Sequence, residues 1–119
     1  MVSKAELFII MFKAEIENSL EDARALTELY EKRFKSEEIT SYVYNENEAF
    51  LAQETSGLKG LLAMLDSLDA AKFSKAKDVA DEIDNVIKRK VKDYEDPEAI
   101  YAIVSRKIKK ILTYLNLRD

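Results

Sequence analysis

The chain has 119 residues, 47% hydrophobic and 35% charged, with a net charge of −4. That is too apolar for a disordered segment, and no apolar run approaches the roughly 18 residues of a membrane span. The chain has no cysteine and no histidine, which excludes disulfides, thiol nucleophiles, thiolate or imidazole metal ligands and a Ser-His-Asp triad.

Chemistry is thereby confined to carboxylates, lysines, tyrosines and hydroxyls. With two Gly and one Pro among many Ala, Glu, Lys and Leu, the composition is that of a helical bundle, and the length is that of a single domain over 1–119.

Ser3 with Glu6 forms a capping-box pattern that starts a first helix near residue 4. Ile9, Phe12, Ile16, Leu20, Ala23, Leu26, Tyr30 and Phe34 then recur every three or four residues, so this helix is expected to run to about 35. The longest apolar run, Leu7 to Phe12, presents apolar side chains around the whole helix and calls for cover on two sides, from the end of helix 4 (Leu112, Leu115, Leu117) or from a second subunit. With one preceding Lys and no small-residue cleavage site, that run does not read as a signal peptide. The expected compartment is the cytoplasm.

Ser36 or Thr40 caps the second helix, whose stripe is Ile39, Val43, Phe50, Leu58, Leu61, Leu65 and Leu68. One helix is expected from about 38 to 69. Gly57 and Gly60 each weaken its interior by roughly 1 kcal/mol, which marks a bend or break near Thr55 to Gly60. Helix 3 is expected to start between Ala70 and Ser74, with Phe73, Ala76, Ala80, Ile83, Ile87, Val91 and Tyr94 inward. Asp96 as N-cap, Pro97 at the first position and Glu98 against the dipole start helix 4, whose face is Ile100, Ile103, Val104, Ile108, Ile111, Leu112 and Leu115. The fold class is all-α, an up-and-down four-helix bundle of sequential antiparallel neighbours.

Unequal lengths carry the main functional expectation. Helices of about 30 residues span near 45 Å and helices of about 21 near 32 Å. If helix 3 folds back along helix 2, it ends beside residues 48 to 50, and the hairpin from about Leu26 to Asn47 projects beyond the bundle. Its tip carries Leu29, Tyr30, Phe34, Ile39, Tyr42, Val43 and Tyr44. Exposed apolar surface of this kind marks an interaction site, and tyrosine is favoured there. The dimer or partner interface is therefore expected at Tyr30, Phe34, Ile39, Tyr42, Val43 and Tyr44. The competing expectation is a break at Gly57 that folds the tip back into a five-helix core.

Three polar patterns offer other chemistry. Residues 88–119 hold nine basic and five acidic residues, whereas residues 1–87 hold ten and eighteen. Lys88, Arg89, Lys90 and Lys92 on helix 3, with Arg106, Lys107, Lys109 and Lys110 on helix 4, would make a stripe for the phosphates of RNA or DNA. The same residues near a helix C-terminus also answer the macrodipole, and no nucleic-acid-binding motif accompanies them. Glu54 falls level with Lys88 to Lys90, where a seam carboxylate could fix the register as a buried pair; the favoured alternative is that Glu54 turns outward because the helix is not straight at Gly57.

Glu28 with Glu31, Asp78 with Asp81 and Asp81 with Asp84 are carboxylates at i and i+3. Helical nucleotide pyrophosphatases of the MazG type hold Mg²⁺ on Glu-x-x-Glu and Glu-x-x-Asp pairs. Such spacings arise readily by chance among 23 acidic residues, the second pair has Asp where that family usually has Glu, and the resemblance is not claimed. The Glu-x-x-His of di-iron bundles is absent. The expectation is a non-enzymatic, self-associating interaction module without cofactor or metal; a nucleic-acid-binding subunit comes second and a Mg²⁺-dependent carboxylate enzyme third.

Overall fold

A computed structural model describes residues 2–93 and 96–117, with side chains through Asn116; Tyr94 and the Leu117 side chain lie outside them. Four helices follow one another: α1 (Lys4–Lys35), α2 (Ser41–Ser67), α3 (Ala76–Lys92) and α4 (Glu98–Leu117). Among the described residues there is no strand.

The first start signals work as local chemistry. The Ser3 hydroxyl accepts from the Glu6 amide at 3.1 Å, and the Thr40 hydroxyl accepts from the Val43 amide at 3.2 Å. Between α1 and α2 the chain reverses at Glu37, whose φ is +60°. The Glu38 amide donates to the Arg33 carbonyl and the Glu37 amide to the Phe34 carbonyl. Those two bonds make a Schellman closure with Glu at the position that usually takes Gly.

The single second helix expected from the sequence is present as Ser41–Ser67, and it runs without a break through Gly57 and Gly60. Both glycines sit where another helix comes close. A Cβ on Gly57 would stand 3.1 Å from Asp96 Oδ1 and 3.3 Å from Ile100 Cγ1, and one on Gly60 would stand 3.4 Å from Lys90 Nζ. The missing side chain of Gly57 leaves room for the start of α4 at Asp96 and Ile100, whereas Gly60 meets only the tip of Lys90.

Helix 3 also starts later than the sequence suggests. Asp69 Oδ1 accepts from the Ala71 amide, which holds a short 3₁₀ turn at Ala70–Lys72, and α3 begins at Ala76. That turn lies against α1, and α3 packs between α1 and α4 rather than back along α2. The up-and-down order holds, but α2 and α3 sit on opposite sides of the α1–α4 pair. Seventeen residues carry α3 only about 26 Å, so Lys90 arrives beside Gly60 and not beside residues 48 to 50.

One core fills the space that all four helices share, from Phe8, Phe12 and Ile16 through Leu58, Leu61 and Leu65 to Ile83, Ile87, Ile100 and Ile111. Phe8 and Phe12 stack with centroids 5.8 Å apart. The chain thus covers much of the Leu7–Phe12 run itself, although Ile10 remains 56% exposed. The half-buried Glu15 carboxylate binds Lys107 at 3.1 Å and Lys110 at 2.7 Å, which fixes α4 against α1. Hydrogen bonds from Lys110 and then Lys107 lower the Glu15 pKa despite its partial burial.

Above this core α1 and α2 continue alone. The molecule measures 53 × 30 × 21 Å, and its radius of gyration is 16.6 Å, against about 13.5 Å for a compact domain of this length. Among the described residues no helix is long and apolar enough to cross a membrane.

Candidate functional site

The side of the hairpin that α4 covers can be followed upward. On α1 it is marked by Glu15, bound to α4, and on α2 by Gly57, against Ile100. At 3.6 residues per turn, Leu26 stands three turns above Glu15 on the same side, and Phe50 and Val43 stand two and four turns above Gly57. Below Gly57 this stripe of α2 is covered, with Leu61 and Leu65 at 0% and 1% exposure. Above it the cover ends: Phe50 is 48%, Leu26 42%, Leu29 40% and Val43 39% exposed. The change comes at the level of Asp96, where α4 begins.

The six tip residues expected from the sequence divide into two groups. Phe34 and Tyr44 stack on each other, centroids 4.5 Å apart and 11° from parallel, and Tyr30 and Ile39 are half-buried. Tyr30, Ile39 and Tyr44 largely close the hairpin on itself, while Phe34 keeps 37% of its surface exposed beside the stack. Burial, together with the charges of Glu48 and Glu31, raises the Tyr44 pKa. Tyr42 and Val43 face solvent, and the Tyr42 hydroxyl donates to Glu46 at 2.9 Å. Phe50 and Leu26 complete the open side. Both belong to apolar stripes visible in the sequence; their exposure follows from where α3 and α4 end.

Three of the expected basic residues are engaged within the chain. Lys88 is paired with Asp84 at 3.0 Å, which raises its pKa, and its ammonium lies 5.9 Å from the Tyr101 ring centre. Lys107 and Lys110 are turned to Glu15. Arg89, Lys92, Arg106 and Lys109 are exposed. The α3 set lies beside the start of α4, whereas Arg106 comes about 12 Å further along α4.

Of the acidic pairs, all members but Asp78 are answered by cations on their own helices. Arg24 bridges Glu21 and Glu28, Lys35 pairs with Glu31, Lys77 with Asp81 and Lys88 with Asp84. Among the described residues no three acidic side chains converge to hold a cation. Glu54 is half-buried and Lys88 is engaged by Asp84, so the less favoured of the two readings, a register pair with Lys88, is not formed.

No protein-family model, curated protein or solved structure matches the chain. The class rests on the fold alone, an all-α four-helix bundle with a projecting two-helix arm.

Proposed function

We propose that the chain is a non-enzymatic interaction module that associates through the apolar side of its projecting α1–α2 arm, first of all with another copy of itself. One observation carries this reading: a single stripe of α2 is buried from Gly57 downward and exposed above it, at Phe50 and Val43. Solvent-facing apolar side chains along a continuing core stripe favour association, at about 25 cal/mol per Å² removed from water. The missing histidine and cysteine and the paired carboxylates support a non-enzymatic role. The basic residues give a nucleic-acid reading less support, because Lys88, Lys107 and Lys110 are already engaged within the chain.

Light scattering over a concentration series tests the proposal. The wild-type mass is expected to rise toward twice the 13.7 kDa of the chain. Phe50→Glu is expected to stay at one chain mass with unchanged helicity. A wild type that is monomeric at every concentration refutes self-association.

A further inference from the structure

The arm presents two helices side by side with one apolar side open, which is half of a four-helix bundle. A second arm laid on that side restores the two-layer packing that α3 and α4 provide lower down. Symmetry restricts how this is done. A two-fold axis parallel to the helices would drive the second hairpin into the α3 and α4 of the first chain, which occupy the same side below Gly57. An axis across the helices places each arm on the other arm alone. We infer that two copies pair arm to arm, antiparallel, about a two-fold axis that crosses α2 between Glu46 and Asn47 and α1 within about one turn of Leu29. This rests on the proposed self-association and specifies its geometry.

Phe50 and Val43 are seven residues apart, so an axis midway between them sets Phe50 of one copy on Val43 of the second copy, and the reverse. Leu29 meets its own counterpart. Charge complements this arrangement at the ends of the arm, whereas Glu46, on the same stripe beside the axis, faces its own counterpart and weakens the pairing. Neither Asp22 nor Arg33 has an ion-pair partner among the described residues, although both lie on the open side. Antiparallel pairing brings Arg33 of one copy close to Asp22, and to the acidic start of α4 at Asp96 and Glu98, in the other. The arm is about 18 Å long and two helices, about 20 Å, wide, a footprint of roughly half the 800 Å² per partner typical of a stable interface. Association is therefore concentration-dependent.

The cysteine-free chain permits single-cysteine crosslinking without background. Leu29→Cys, treated with a bis-maleimide spanning about one interhelix distance of 8–10 Å, is expected to give a covalent dimer. Ser67→Cys, at the far end of α2 and roughly 60 Å from its counterpart in this geometry, is expected to give none. Melting and circular dichroism of both variants confirm that each is folded. A chain that doubles in mass but crosslinks at Ser67 and not at Leu29 overturns the antiparallel geometry and leaves self-association standing. A dimer that crosslinks at neither position does the same. A chain that stays monomeric overturns both.

Discussion

Gly57 and Gly60 lie three residues apart in the same unbroken helix, yet alanine should act oppositely at the two. Each replacement removes roughly 1 kcal/mol of glycine penalty from a helix interior. At Gly60 the new Cβ meets only the tip of Lys90 at 3.4 Å, an ordinary contact with a flexible side chain. Gly60→Ala should therefore stabilise by about 1 kcal/mol, a rise in Tm of about 3–5 °C for a chain of this size. At Gly57 the Cβ would stand 3.1 Å from Asp96 Oδ1 and 3.3 Å from Ile100. Ile100 is fully buried and cannot give way, and the half-buried Asp96, whose Oδ2 is enclosed without a hydrogen-bond partner, would have to turn from its place. Overpacking of this kind typically costs about 1–3 kcal/mol, which cancels or exceeds the helical gain. Urea melts of both variants measure the difference. Equal stabilisation at the two positions would refute the claim that Gly57 leaves room for the start of α4.

Other substitutions test separate parts of the fold. Glu37→Gly should raise stability by about 1 kcal/mol, read by urea melting, because a left-handed backbone no longer carries a Cβ. Glu15→Gln should lower it by up to about 1 kcal/mol at pH 7. The lysines depress the folded pKa of Glu15, so its contribution is present above the ordinary carboxylate range and fades as pH falls through the folded value; melts at pH 3 should show a smaller gap between variant and wild type. Phe12→Ala, at a fully buried site, should cost about 3–5 kcal/mol. Phe50→Ala, at a half-exposed site, should change the melting of the dilute chain by less than about 1 kcal/mol while weakening association.

Local chemistry made much of this fold legible in the sequence. Ser3 and Thr40 are short hydroxyls just ahead of apolar stripes, and both cap. The stripe of α4 needed only its own period. What escaped depended on distances between helices. Gly57 and Gly60 look like helix breakers in isolation; their role emerges only when Asp96, Ile100 and Lys90 are seen beside them. The 3₁₀ turn held by Asp69 delays α3 until Ala76, and nothing in its periodicity announces that. For the same reason the projecting arm could be anticipated from helix lengths, whereas its open residues could not all be chosen. Phe34 and Tyr44 were expected outside and stack on each other; Phe50 was expected beside the end of α3 and stands clear of it. Exposure along a stripe is set by how far the neighbouring helix reaches.

Small-angle X-ray scattering of the wild type, at concentrations where its mass doubles, bears most directly on the open arm as the association surface. One chain is 53 Å long, and two that overlap only through arms of about 18–20 Å form a particle about 85 Å long. That length, lost together with the doubled mass in Phe50→Glu, is the expected result. A doubled mass with a maximum dimension near that of one chain would mean that the bodies pair side by side, which contradicts the arm as the surface of contact.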